Sequence, residues 1–392
     1  MASVSALAES LVARGHEVSV YTTNSNLDQD LDVPTGQMVD VQGVQVRYFK
    51  RDEPLKRYLP WVKYLSQSIG IMYTPDMAAA LLASSGEFDL MHTHTPYVYP
   101  TFAVAKAARR DKVPLFYHQR GAFDPQHMQF RAIKKRAYIS LVEKPMMRQA
   151  ATLVALTETE RANYAALGLR TPCRIVPNGI HLPAPTEPGK YDTELQSLGI
   201  KPHHKVVLFL GRLHPGKGAD RLLAAFERVA PQHPDALLVL AGPDENRIEA
   251  GFVERSRAVG LAQRVIFPGM VSGERKAALL HRADLFCLPS AAEGFSMALL
   301  EALANATAVL ISPGCNFPDV ATANAGLIVM PTVDALERSM LRLLNDPAEV
   351  RAMGEAGRAL VASKYTWDLV TTQMLDVYAE GVDRFHRRRQ VS

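Results

Sequence analysis

The sequence predicts an α/β protein made of two doubly wound, Rossmann-like domains that face a cleft. Apolar, parallel-type strand runs alternate with helix-forming runs on both sides of a proline-rich stretch. Two of those strands lead into loops that suit a phosphate, 211–218 and 289–296, each followed at once by a helix. The 392 residues, 47% hydrophobic and 21% charged, are enough for two separate cores.

The elements follow in order. Met1-Ala2-Ser3-Val4 begins a helix with Leu7, Leu11 and Val12 on its apolar face, and Gly15-His16-Glu17-Val18 leads from it into a strand. Phe88-Asp89-Leu90-Met91-His92-Thr93-His94 closes another strand. Pro183, Pro185, Pro188 and Gly189 follow Pro177-Asn178-Gly179 and place the linker near 182–200. The first domain is therefore expected over 1–190 and the second over 191–366, with a last helix over 367–392. Ligand is expected at the carboxyl ends of the strands.

Lys205-Val206-Val207-Leu208-Phe209-Leu210 reads as a buried strand, and Gly211-Arg212-Leu213-His214-Pro215-Gly216-Lys217-Gly218 follows it before a helix over 219–230. The glycines allow tight turning, while Arg212 and Lys217 offer a fork and a point charge to pyrophosphate. The loop is not a Walker motif, which needs Ser or Thr at Gly218, nor is it Gly-x-Gly-x-x-Gly. Alone it better fits an ordinary glycine-rich strand–helix turn with two surface cations.

Asp284-Leu285-Phe286-Cys287-Leu288 is a second buried strand, ended by Pro289-Ser290 and followed by a helix from Met297 to Leu303. Glu293 falls in the loop and Glu301 inside the helix, eight positions later. The N–H groups near Gly294, Phe295 and Ser296 are orphan donors of a helix start. Glu301 lies on the order of 7–8 Å further along the axis, a reach that spans phosphate to ribose of one nucleotide. The segment also fits a surface-loop glutamate and a solvated helix glutamate.

Together these segments resemble the retaining glycosyltransferases of family 4, with the GT-B architecture. Gly15-His16-Glu17-Val18, Pro177-Asn178-Gly179-Ile180, Gly269-Met270-Val271, Ala283-Asp284-Leu285-Phe286 and Tyr365-Thr366-Trp367 extend the likeness along most of the chain. The resemblance implies that Arg212 and Lys217 neutralise a donor diphosphate, Glu301 binds the ribose hydroxyls and Glu293 sits at the transferred sugar. It implies that the amides of Gly294, Phe295 and Ser296 face the phosphates or the sugar, that the backbone at Met270 borders the base, and that the last helix returns to the first domain. Preorganised cations and a helix start stabilise a diphosphate leaving group without a metal. No cofactor is expected; a UDP- or GDP-linked sugar is a substrate. The acceptor is expected to be a glycan or a lipid-linked molecule in polysaccharide or lipopolysaccharide assembly. A nucleotide-sugar epimerase on the same scaffold, and a non-catalytic glycan- or nucleotide-binding subunit, are the alternatives.

Two departures from the family stand in the first domain. The opening strand and glycine-rich loop of the family precede a helix like that at Met1-Ala2-Ser3-Val4, so the expectation is a start assigned too late, with a true truncation that lacks the strand as the alternative. Within Tyr117-His118-Gln119-Arg120-Gly121-Ala122-Phe123-Asp124-Pro125, Arg120 stands where many relatives carry histidine. Arg120 and His118 are the catalytic candidates beside Glu293. Arginine stays charged and is unsuited to handling protons, His118 is alternatively structural, and Asp124 is either an acceptor contact or a turn former. Ala304-Asn305-Ala306-Thr307-Ala308 replaces the usual glycine and proline after the second glutamate, which alters the helix end.

Cys173, Cys287 and Cys315 have no paired spacing, so a reduced, cytoplasmic setting is expected. No signal peptide or spanning segment is expected, and a net charge of +4 does not argue for nucleic acid. Arg131, Lys134, Lys135, Arg136, Lys144 and Arg148 share a helix with Phe130, Ile133, Tyr138 and Leu141, and Arg384, Arg387, Arg388 and Arg389 lie near the end. These stretches fit peripheral contact with an anionic membrane, or solvated cationic faces. Leu55 to Met77, with Tyr58, Leu59, Trp61, Val62, Tyr64 and Met72, fits a lipid-linked acceptor or a cleft wall. Asp28-Gln29-Asp30 is taken as a solvated acidic turn. His92-Thr93-His94 is taken as a strand end and not a metal site, with the two imidazoles assigned to opposite faces and no third ligand evident.

Overall fold

The computed structural model describes residues 2–26, 29–51, 72–124 and 132–391. Asp28, Tyr58, Leu59, Trp61, Val62, Tyr64, Pro125, Phe130 and Arg131 lie outside the described residues. The chain divides into two units, Met1–Gly179 with Trp367–Ser392, and Ile180–Thr366. The division falls upstream of the prolines that suggested residue 190. Its cause is local: Ile180 donates its N–H to Tyr365 O at 2.8 Å and bridges to Thr366, so the chain joins the second unit before the prolines begin.

The first unit opens with α1 (Ala2–Val12), β1 (Ser19–Thr23), a short antiparallel ribbon of β2 (Ser25–Asn26) and β3 (Gln29–Asp30), β4 (Met38–Val41) and β5 (Val44–Phe49). It continues with α2 (Pro75–Ser84), β6 (Met91–His94), α3 (Tyr99–Asp111), β7 (Leu115–His118), α4 (Ala132–Tyr138) and α5 (Lys144–Gln149). Next come β8 (Thr152–Ala155), α6 (Glu158–Ala166) and β9 (Cys173–Ile175). Strands β6-β7-β8-β9 form a parallel sheet, and β1-β5-β4 a separate one. Among the described residues, one edge of β1 and one edge of β6 have no strand partner.

The second unit contains α7 (Asp192–Ser197), β10 (Lys205–Leu210), α8 (Ala219–Val229), β11 (Ala236–Ala241), α9 (Glu249–Ala258), β12 (Val265–Ile266) and α10 (Gly273–Arg282). It ends with β13 (Leu285–Leu288), α11 (Met297–Ala304), β14 (Ala308–Ile311), α12 (Asp319–Thr322), β15 (Gly326–Ile328), α13 (Val333–Asn345) and α14 (Pro347–Lys364). Its six strands run parallel in the order β12-β11-β10-β13-β14-β15. Val206 to Phe209 and the whole of β11 and β13 are buried, as strands covered on both faces must be. The order reverses direction between β10 and β13, the two strands whose loops were singled out in the sequence, and this is where an open parallel sheet leaves a crevice for ligand.

The last helix, α15 (Trp367–Val391), belongs to the first unit. Trp367, Val370, Met374, Val377 and Tyr378 pack with Leu7 and Leu11 of α1 and with Phe116, Val154 and Val176. No described helix is long and apolar enough to cross a membrane.

Candidate functional site

In the second unit, three loops at the carboxyl ends of β10, β13 and β14 are held against one another by backbone contacts. Ala291 N–H donates to Gly216 O at 2.8 Å, and Glu293 N–H to Gly314 O at 2.8 Å. Asn316 Nδ2 donates to Glu293 O at 2.7 Å. The approach is so close that a Cβ on Gly218, at φ +76°, would lie 2.4 Å from Pro289 O, and one on Gly314 2.3 Å from Ala291 O. Glycine at these positions is what lets the loops meet.

Lys217 and Glu293 are brought into direct contact: Lys217 Nζ lies 2.6 Å from Oε1 and 2.7 Å from Oε2 of Glu293. The side chains are only 18% and 10% exposed, so each is the other's main compensation. Ser296 caps α11, its hydroxyl accepting from Leu299 N–H at 3.3 Å. Phe295 packs its ring against Phe317 and Tyr365, which fixes the chain at the helix start. Among the described residues no acceptor meets the N–H groups of Gly294, Phe295 and Ser296. They remain at the positive end of α11, next to the Lys217–Glu293 pair.

Glu301 lies one helical stretch further on and accepts from Lys276 Nζ at 2.6 Å. Together with Tyr191, Gly273, Leu280 and Asn305 the pair lines a cavity of about 470 Å³. Lys276, on α10, was not foreseen. Its only sequence signal is a lysine in the first turn after Gly269-Met270-Val271. Arg212 lies apart from the pair, in an exposed contact with Glu245 at 2.9 Å, with more than half of its side chain open to solvent. Met270 is 77% exposed beyond the end of β12.

In the first unit, His118 and Arg120 lie at the carboxyl end of β7 beside His92 and His94 of β6. Arg120, with a left-handed φ of 48°, donates from Nε to His94 Nδ1 at 3.1 Å, and from Nη1 to Asn178 Oδ1 at 2.9 Å and Ser3 Oγ at 3.0 Å. Burial lowers its guanidinium to about 10, partly offset by Glu160. His92 is pushed down to about 3 by burial and then by the Arg120 charge, and the same effects hold His94 and His118 well below the usual imidazole value. Glu160, under the same loop, is raised by burial to about 7, although Leu156 N–H donates to it at 2.7 Å.

His92 and His94 lie on the same face of β6, contrary to the assignment to opposite faces. Residues two apart on a strand share a face, and their rings lie 4.1 Å apart. The third imidazole, His118, comes from the neighbouring strand, paired in register with His94.

Residues 2–179 match the model described as glycosyl transferase 4-like domain, and residues 190–360 match glycosyl transferases group 1. A D-inositol 3-phosphate glycosyltransferase of Jonesia denitrificans is 28% identical over 391 residues, covering 95% of this chain and 88% of the relative. Among solved structures, sucrose-phosphate synthase from Thermosynechococcus elongatus superposes with a TM-score of 0.72 at 22% identity, covering 95% of this chain and 91% of the other. The Anabaena protein HepE, solved with UDP and glucose, gives a TM-score of 0.70 at 16% identity, covering 93% and 100%. The two matched models account for both units in order, and the chain belongs to the group 1, family 4-type glycosyltransferases of GT-B fold.

Proposed function

We propose that the chain transfers a hexose-type sugar, with retention of configuration, from a UDP- or GDP-linked donor to a glycan or lipid-linked acceptor of cell-surface polysaccharide or lipopolysaccharide assembly. The observation that carries this reading is the pairing of Lys217 with Glu293 beside the unpartnered amides of Gly294, Phe295 and Ser296 at the start of α11. A diphosphate placed there draws on the amides and on Lys217, so charge developing on the leaving group meets fixed positive ends without a catalytic metal. As Lys217 turns toward the phosphates, Glu293 is freed for the sugar. Glu301, eight residues along, takes the ribose hydroxyls, with Lys276 holding its carboxylate in place. Arg212, on the rim, attracts the donor without fixing it. Met270 borders the base. In the first unit, Arg120 and His118 serve the acceptor or the reacting sugar, Arg120 as a fixed cation and hydrogen-bond donor. HepE, of the same fold, was solved with UDP and glucose, which favours a UDP-sugar as the first donor to test.

The deciding assay supplies UDP- and GDP-sugars with and without acceptor lipids and glycans. Acceptor-dependent transfer with a retained anomer, unaffected by added Mg²⁺ or Mn²⁺, is expected. An epimer formed without acceptor, or binding with no turnover, would replace this reading by one of its alternatives.

We also propose peripheral contact with anionic lipid on the cytoplasmic face. Ile133 and Leu141 are 86% and 77% exposed on the stretch that carries Lys135, Arg136, Lys144 and Arg148. Co-sedimentation with anionic liposomes that weakens with salt is expected, and its absence would remove the proposal.

A further inference from the structure

His92, His94 and His118 each offer a ring nitrogen, and the three nitrogens lie within 4.8 Å of one another. The ring centroids are 4.1, 5.5 and 5.7 Å apart. Both nitrogens of buried His118, and Nε2 of His92, have no hydrogen-bond partner among the described residues. Each such atom costs on the order of 1–3 kcal/mol, and His92 and His118 each have at least one in this cluster, an unmet demand for a ligand. The other nitrogen of His92 is engaged: Nδ1 lies 2.7 Å from the hydroxyl of Tyr378 on α15. That contact leaves Nε2 as the unpartnered nitrogen of the ring, and with the Tyr378 oxygen accepting from Nδ1–H it is the outer partner that a ligating histidine has.

We propose that His92, His94 and His118 form a site for one divalent transition-metal ion of the zinc class. Three imidazoles without a carboxylate suit Zn²⁺, Co²⁺, Ni²⁺ or Cu²⁺ and do not suit Mg²⁺ or Ca²⁺, which require oxygen ligands. Three protein ligands leave a fourth position open to water or substrate. Ligands of a tetrahedral ion with bonds of about 2.0–2.1 Å stand about 3.4 Å apart, so binding requires the three nitrogens to close from their present separation of within 4.8 Å.

Arg120 sets a condition on entry. While its Nε–H donates to His94 Nδ1, the proton of that neutral ring sits on Nε2, and neither nitrogen is available. Metal binding and the Arg120–His94 hydrogen bond therefore exclude one another. A filled site releases Arg120 from His94 while Ser3 and Asn178 still hold its other arm. The metal becomes a control on where the Arg120 guanidinium points. The inference concerns the first unit alone and does not depend on the donor reading.

The test uses the full chain stripped with a chelator and titrated with Co²⁺ and Zn²⁺. One Co²⁺ per chain with the visible bands of a four-coordinate ion is expected, and zinc X-ray absorption should show three imidazole shells. His118→Ala should weaken binding on the order of a hundredfold, and Arg120→Met, which removes both the competing donor and a nearby cation, should tighten it about tenfold. The absorption measurement needs no variant, so it decides the question even if His118→Ala misfolds. No Co²⁺ spectrum, fewer than three imidazoles, or undiminished binding in folded His118→Ala, as the neighbouring His203 and His204 would give, would overturn the proposal.

Discussion

Glu293 and Lys217 neutralise each other, and that makes their substitutions differ in sign. Lys217→Ala removes the countercharge and leaves Glu293 uncompensated, so affinity for UDP or GDP should fall about 10- to 100-fold by calorimetry. Glu293→Gln frees Lys217 for the diphosphate: nucleotide affinity should hold or rise while turnover falls on the order of a hundredfold. Parallel losses of affinity in both variants would contradict these roles. Glu160 gives a pH prediction. Burial raises its carboxyl to about 7 from an ordinary value of 4.5, so between those values the folded protein holds a proton that the unfolded chain has lost. Stability contributed by this group is present below pH 4.5 and is lost as pH rises to about 7. Glu160→Gln is neutral throughout, and its stability relative to the parent should climb from pH 5 to pH 8 by on the order of 2 kcal/mol. A difference in Tm that does not vary with pH would refute this.

At the scale of elements, the end of α11 carries a strain that the sequence announced. Within 304–308, the stretch that replaces the usual glycine and proline, Ala306 has a left-handed backbone, φ 58°. Ala306→Gly should stabilise the protein by about 0.5–1 kcal/mol, the relief of that conformation less the extra freedom glycine has when unfolded, read as a rise in Tm. The reverse holds at Gly218, where left-handed geometry and the 2.4 Å approach to Pro289 O coincide. Gly218→Ala should cost about 2–4 kcal/mol and weaken nucleotide binding with it. The β10 strand over 205–210 and the start of α11 at Met297 were legible, because apolar runs and caps are local signals. Pairings across the sheet were not. The register that sets His94 opposite His118, and the reach of Lys276 from α10 to Glu301, depend on which strands and helices become neighbours. Arg212 was legible as a cation in the loop, its exposure among the readings the sequence offered, but not its ion pair with Glu245, which follows a different strand.

On the scale of the whole chain, the second unit contains the complete set of groups read as a donor site, and the first unit depends on a segment from the far end of the sequence. Removing 367–392 would strip Trp367, Val370, Met374 and Tyr378 from Leu7, Leu11 and Phe116 and leave His92 without its partner. That deletion should make the first unit aggregate or become protease-sensitive, while 180–366 stays folded; equal resistance of both units would contradict this. The boundary at Gly179, hidden in the sequence by the prolines downstream, follows from the same crossing, since a Cβ there would lie 2.7 Å from Trp367. The central claim is that α11 and the loops before it bind the nucleoside diphosphate of a sugar donor. Calorimetric titration of UDP and GDP into the parent chain, Lys217→Ala and Glu301→Ala tests it most directly. One site per chain in the parent, weakened about 10-fold or more in both variants, is the predicted result; no binding to the parent, or parental affinity in both variants, would contradict it.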